Sequence, residues 1–372
     1  MRAVLVIAIA LTLASCGPDV YEQPLAVRPI TLPRDDAAHL APIEWWYYTG
    51  HLVTDDDHEY GFELTFFQAY TPPDIRILGL LPARWLIPRG YVGHAALLDK
   101  TGESFHGFER SSLWGYRATA SRNRLDIYVG NWTARRAPDG VSHHITFDTE
   151  AGKLALTLTP TKPVALHGNP PGIQTLGPGG VSYYLSYTRM SASGALRTDS
   201  GVQRVTGQAW HDHQWGDFDI SRFAGWDWFS LQLDDGRDLM LYLIREPSGT
   251  YTIGEGSLID ADGTLTPLDA DDFVLTVTDT WQSPDTGARY PIAWTLALPT
   301  YGLDLSVTPV IPNQEMDTRA STGIVYWEGA VAVGGSHDGV GFVELTNYDR
   351  YPYGQTDTKT PLQPLAGPLS VF

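Results

Sequence analysis

Apolar and polar residues alternate in short runs along almost the whole chain, and that limits it to an all-β fold. HEYGFELTFFQA, SYYLSYTRM, DLMLYLIR, DFVLTVTDTW and VGFVELTNY are such runs, each bounded by Gly, Asp or Pro within a few residues. Successive side chains of a strand point to opposite faces of a sheet, so this pattern buries one face; a helix would need its apolar residues at 3.6-residue spacing. Stretches with that helical period are scarce. Many short strands separated by turn residues are the signature of barrels and sandwiches.

The pattern occurs twice. Residues 45–66, WWYYTGHLVTDDDHEYGFELTF, and 226–245, WDWFSLQLDDGRDLMLYLIR, each run from an aromatic cluster into an alternating strand, an acidic turn and a second strand. One constant offset pairs Trp45 with Trp226 and Leu52 with Leu233. Two consecutive antiparallel β-barrels are the expected architecture, one over residues 39–195 and one over 196–372, with the boundary in the polar stretch SASGALRTDSG. Asp55-Asp56-Asp57 and Asp234-Asp235-Gly236 read as hairpin turns, because neither has the downstream Glu of a calcium loop.

The N-terminus, MRAVLVIAIALTLASC, is too short for a bilayer span and fits a secretory signal peptide over residues 1–15. Leu13-Ala14-Ser15-Cys16 resembles a lipobox, which makes Cys16 the expected lipidation site and residues 16–38 a tether. Gly17, in place of Asp, points to the outer membrane on its periplasmic face. Cys16 is the sole cysteine, so no internal disulfide braces the fold. The net charge of −18 argues against a nucleic-acid partner and limits membrane attachment to the lipid.

Twelve Trp and 19 Tyr imply large interior faces or an apolar cavity. The proline-rich stretch 71–91, TPPDIRILGLLPARWLIPRGY, cannot be a central strand or a long helix. It is expected to cap a barrel mouth, with an outer loop or a lipid contact as alternatives. Within QAWHDHQWG (208–216), strand alternation puts His211, His213 and Trp215 on one face and Trp210, Asp212 and Gln214 on the other. A His-x-His pair can begin a zinc site, but third ligands are only loosely suggested, at His94 or His143-His144, so neither metal nor cofactor is expected. Glu44 and Asp227 are acids beside tryptophans, where burial would raise a carboxyl pKa. Tyr47, Tyr48 and Tyr242 read as wall residues. The absence of a Gly-x-Ser-x-Gly elbow and of a phosphate-cradling glycine loop excludes the corresponding hydrolases and nucleotide enzymes.

EWWYYTGHL, GFELTFF, GQAWHDHQWG, GWDWFSLQLDDGRDLMLYLIRE and YWEGAV together resemble the lipocalin-like family of carotenoid 1,2-hydratase and the AttH-type secreted proteins. The resemblance runs from about residue 39 onward and implies two lipocalin-like barrels with apolar interiors. The His-x-Trp pair of the hydratases matches His213-Gln214-Trp215; their Tyr-x-Asp pair falls on Tyr242-Leu243-Ile244, where the acid is missing. Asp212 and Asp227 are the substitute donors. The expected function is a lipid-anchored envelope protein binding a hydrophobic or amphipathic small molecule near the barrel junction. Trp45, Trp46, Trp210, His211, Trp215, Trp226 and Trp228 would supply contacts. A hydro-lyase or cyclase using Asp212, His213, Asp227 and Tyr242 is the alternative, and an accessory role beside an ABC-transporter permease a third.

Overall fold

A computed structural model describes Leu25 and residues 27–354, except Pro73, residues 78–80, 114–115, 176–179 and 218–222, and Thr250. The signal peptide and Cys16 lie outside the described residues. Two large antiparallel sheets dominate. The first has 13 strands, and along its main path they run Ser104–Leu113, Arg89–Asp99, Glu59–Tyr70, Ile43–Thr54, Gly201–Asp217, Val181–Thr198, Lys153–Pro160, His143–Asp148, Trp132–Arg136, Asp126–Val129 and Ala118–Ala120. Its first three strands pack against Asp126–Val129 at the far end of the path, curling the sheet into a nearly closed barrel. The second has 10 strands and forms a half-barrel. Along its main path the order is Leu265–Asp269, Tyr251–Ile259, Asp238–Arg245, Gly225–Leu233, Gly339–Thr346, Ile324–Gly335, Leu303–Pro309, Arg289–Leu298 and Val274–Gln282, with Glu315–Thr318 paired to Ile324–Gly335 off that path. Among the described residues no helix is long and apolar enough to cross a membrane.

The internal repeat is physical. In both sheets an aromatic first hairpin pairs along its leading strand with a strand from late in its half, Gly201–Asp217 in one and Gly339–Thr346 in the other. Leu52 lies in the first core and Leu233 in the second. Trp45 and Trp226 both pack into a third apolar cluster between the barrels, and Tyr47 meets its repeat equivalent Trp228 edge-on, with ring centroids 5.1 Å apart. Both acidic stretches form hairpin turns as expected, with Asp57 and Gly236 at positive φ.

The division of the chain differs from the expected one. The polar stretch at 191–201 lies within the first sheet: Ser191–Thr198 is the end of a strand paired with Lys153–Pro160 on one side and Gly201–Asp217 on the other, and only Asp199-Ser200 form the turn, while Gly201–Asp217 pairs in addition with Ile43–Thr54. Sheet membership changes only between Asp217 and Gly225. Polar residues are frequent here because the strand has one wet face: Ser191, Ser193 and Arg197 are exposed, while Ala192 and Leu196 are buried in the first core. Val202 there is 60% exposed.

Candidate functional site

Alternation along Gly201–Asp217 assigns its two faces to different interiors. His211, His213 and Trp215 point into the first barrel beside their cross-strand neighbours Tyr48, Trp46 and Glu44. Trp210 and Asp212 point into the junction, where Tyr184 and Trp228 meet them.

In the first barrel Glu44 is fully buried and saturated with donors. Its Oε1 lies 2.7 Å from His39 Nδ1 and 2.8 Å from His213 Nε2, while Oε2 accepts from the His39 backbone N–H and from Gln68. His39 reaches on to Asp35, which Arg28, Arg34 and the Thr31 backbone also hold. Burial opposes a charge on Glu44, yet the two imidazoles offset it and hold the carboxyl below its usual range. Burial also opposes a charge on His39, but Glu44 and Asp35 outweigh it and raise its pKa, whereas burial lowers His213, so the proton resides on His39. His211 stacks on Tyr48 at 4.0 Å; burial pushes it and neighbouring His143 well below the ordinary histidine range.

The ligand atoms of His39, Glu44 and His213 lie within 4.8 Å of one another, so these are the residues that would hold a metal ion here. Their own hydrogen bonds already use those atoms. A metal-bound imidazole needs an acceptor for its other nitrogen, and His213 Nδ1 has none among the described residues. The set reads as a self-satisfied ion-pair network. His94 is not part of it; it sits at the junction, bonded to Tyr326 and Ser321.

The junction concentrates acids instead. Asp212 accepts from Tyr184, Ser186 and the Trp210 indole, each at 2.5 Å, and burial pushes its pKa up to about 7. Glu344 accepts from the Trp226 indole at 2.8 Å and burial raises it to about 7. Its cross-strand partner Glu328 accepts from Tyr47 at 2.5 Å; burial, then Glu344 and Glu63, hold it well above the usual carboxyl range. Glu63 accepts from Thr65, and burial lifts it to about 8. Glu63, Glu328 and Glu344 disfavour one another's charge, and Asp212 adds to the effect on Glu344, in a volume walled by Tyr47, Trp210 and Trp228. Trp45, Phe223 and Trp226 at the edge of the cluster are only partly buried.

The site residues expected from the sequence therefore fall in three places. Trp45, Trp210, Asp212, Trp226, Trp228 and Tyr242 belong to the junction, with Tyr242 donating to Glu255. Trp46, His211, His213 and Trp215 line the first barrel, packed by stacked rings. Asp227 lies in the second barrel, bound to Arg245 at 3.0 Å and to the hydroxyls of Tyr251 and Tyr348. The pairing of Asp212 with His213 is thus corrected: adjacent strand residues face opposite ways, and the two share no partner. Glu63, Glu328 and Glu344 were missed, although GFELTFF and YWEGAV contain the first two; a single acid in an apolar strand was the available signal. Beside Trp210 the junction encloses a void of about 10 Å³, the size of one water, lined by Thr49, Gly50, His51, Ser230, Gln232, Gly341 and Phe342. On the opposite face of the same strand Gly50 lets the Phe62 ring of the first core pack against the backbone, since a Cβ there would meet Gln208 O and the Phe62 ring at 2.6 Å.

Two barrels packed through their aromatic hairpins, with carboxyls buried between them, define a tandem lipocalin-like protein. The chain belongs to the AttH-like family, whose model matches residues 23–348. It is 31% identical to a protein described as AttH from Nitrosomonas europaea, with a TM-score of 0.77 over 87% of this chain and 98% of that one. Kievitone hydratase from Nectria haematococca shares the fold at 16% identity and a TM-score of 0.68, covering 90% of this chain and 98% of that one. CghA, crystallised with Sch210972, shares it at 12% identity and 0.51, covering 88% and 96%. No curated protein sequence matches.

Proposed function

We propose that this protein is an acid catalyst of the hydro-lyase or cyclase type, acting on an apolar, isoprenoid-like substrate at the barrel junction. One observation carries the reading: the buried carboxyls of Asp212, Glu63 and Glu328 and the half-buried one of Glu344, with Asp212 and Glu344 raised to a pKa of about 7, lie among indole and phenol rings. A general acid works best with a pKa near the working pH. Glu344 is the donor of choice, because its partner Trp226 is at the half-buried edge of the cluster. Its O–H bond breaks as a C–H bond forms at one alkene carbon. The cation left on the adjacent carbon is stabilised by ring faces and captured by water, whose proton returns to a carboxylate. Ile244 leaves the family's acid position empty, and the junction acids take over that role. The shared scaffold of kievitone hydratase supports the same reaction class.

Binding of a hydrophobic ligand without chemistry is the second reading, favoured by the aromatic cluster of Tyr47, Trp210 and Trp228 with the partly buried Trp45 and Trp226 at its edge. In either case we place the protein in the bacterial envelope, held by a lipid on Cys16; the support is the sequence Leu13-Ala14-Ser15-Cys16.

The test is to incubate the protein with isoprenoid alkenes and a membrane lipid extract in D₂O, then follow isotope incorporation by mass spectrometry. Deuterium in a product, lost in Glu344→Gln, is the expected result. Ligands retained in native mass spectra with no isotope incorporated would overturn catalysis in favour of binding.

A further inference from the structure

The hairpin between Tyr70 and Arg89 plays no part in the junction, and it is built unlike the rest of the surface. Arg76–Ile77 pairs with Leu81–Pro82, a 3-10 turn follows over Ala83–Trp85, and the base is pinned where Thr71 N–H donates to Pro88 O. Ile75, Leu81, Trp85 and Leu86 are 38%, 51%, 60% and 53% exposed. So many large apolar groups on one short element are a cost in water that monomers normally avoid. Arg76 and Arg84 accompany them, against the lone acid Asp74, in a chain whose net charge is −18.

Register fixes where the hairpin sits. Tyr70 pairs with Arg89, Ala69 with Ile43, Ile43 with Gly216, and Asp217 with Val181, so these residues form one rim of the first barrel. The N-terminal segment arrives at the same rim, since Arg28 N–H donates to the Tyr183 hydroxyl and Leu25, Ile30 and Leu32 pack against the first core. Cys16 precedes Val27 by about eleven residues, a reach of at most about 40 Å. A lipid there would hold this rim close to a bilayer.

We propose that this hairpin docks on a membrane with anionic headgroups, Leu81, Trp85 and Leu86 entering the interface and Arg76 and Arg84 meeting phosphates. Trp at the headgroup level flanked by Arg is the usual chemistry of such anchors. A lipid on Cys16 would hold the protein at the bilayer but leave its orientation free, and a second, protein-borne contact sets that orientation. The fit is to lipid rather than to a protein groove because the exposed apolar side chains are accompanied by Arg76 and Arg84 against the single acid Asp74, a balance opposite in sign to the rest of the molecule.

Full-length protein is mixed with vesicles of phosphatidylethanolamine and phosphatidylglycerol whose acyl chains carry bromine. The fluorescence lost is compared between the natural chain and Trp85→Phe. The expected result is a Trp85 component quenched by the bromolipid, weakened at high salt, and reduced about tenfold in vesicle affinity for Leu81→Asp/Leu86→Asp with an unchanged thermal melt. The proposal is overturned if Trp85→Phe loses as much fluorescence as the parent. It is also overturned if the double Asp variant stays on the vesicles equally well, or if a photo-crosslinker at position 85 captures protein instead of lipid.

Discussion

Replacing Glu63 by Gln is expected to stabilise the protein at neutral pH, although it alters a hydrogen-bonded polar group at the centre of the molecule. Glu63 is buried, with one carboxyl oxygen held by Thr65 and the other without a partner among the described residues. Burial lifts its pKa from 4.5 to about 8. Between those values the unfolded chain has released the proton and the folded chain still holds it. The unfolded state thus binds fewer protons, and stability falls as pH rises. At pH 7 the gap of about 2.5 pH units, at about 1.4 kcal/mol each, costs on the order of 3 kcal/mol. Gln is neutral at every pH and escapes that cost. With an unfolding entropy of about 0.7 kcal/mol/K for an ordered body of this size, the gain corresponds to a Tm rise of about 4 °C. Thermal melts and urea titrations of both proteins from pH 4.5 to 8.5 measure it. The curves should coincide at the acid end and separate progressively above it. A variant less stable than its parent at pH 7, or a difference that does not grow with pH, would refute the reasoning.

Asp227→Asn should act in the opposite direction: it leaves Arg245 buried without its counter-charge, and denaturant titration should show a loss of about 3–5 kcal/mol. Tyr47→Phe removes the donor to Glu328 and should cost about 1–3 kcal/mol by the same measurement. Because Asp212 and His213 face different interiors, Asp212→Asn and His213→Gln should add in a double-mutant cycle to within about 0.5 kcal/mol; a coupling above about 1 kcal/mol would mean that they share a site after all. Acidification should weaken the Glu44 network, whose stabilisation is complete above pH 4.5 and is lost as pH falls through the depressed pKa of that carboxyl, seen as a shift in the environment of Trp46 and Trp215 by near-UV circular dichroism.

The architecture was legible because alternation is local: it states which side chains share a face without knowing what lies beyond. The repeat was legible for the same reason, and Trp45 and Trp226 do occupy equivalent places. The limit of that reasoning appears in Gly201–Asp217. Its two faces were separated correctly, but only the fold shows that one closes a barrel and the other meets a second barrel, so a single proposed site mixed His213 with Asp212. Glu328 and Glu344 are unremarkable acids in sequence; they become neighbours because their strands pair in one particular register, which no local pattern specifies. The boundary was misplaced because a strand with one face in water, ending in a tight turn, and a linker have a similar polar composition.

The two-sided service of Gly201–Asp217 carries a cost for change. Most surface strands tolerate a shifted residue by turning a spare face to water, but this one has none over its second half. Deleting one residue near Ala209 would drive imidazoles into the carboxyl pocket and acids into an aromatic core, damaging both halves of the molecule with one event. Length variation in this lineage should therefore collect at the hairpin tip around Asp199, where extra residues meet only solvent.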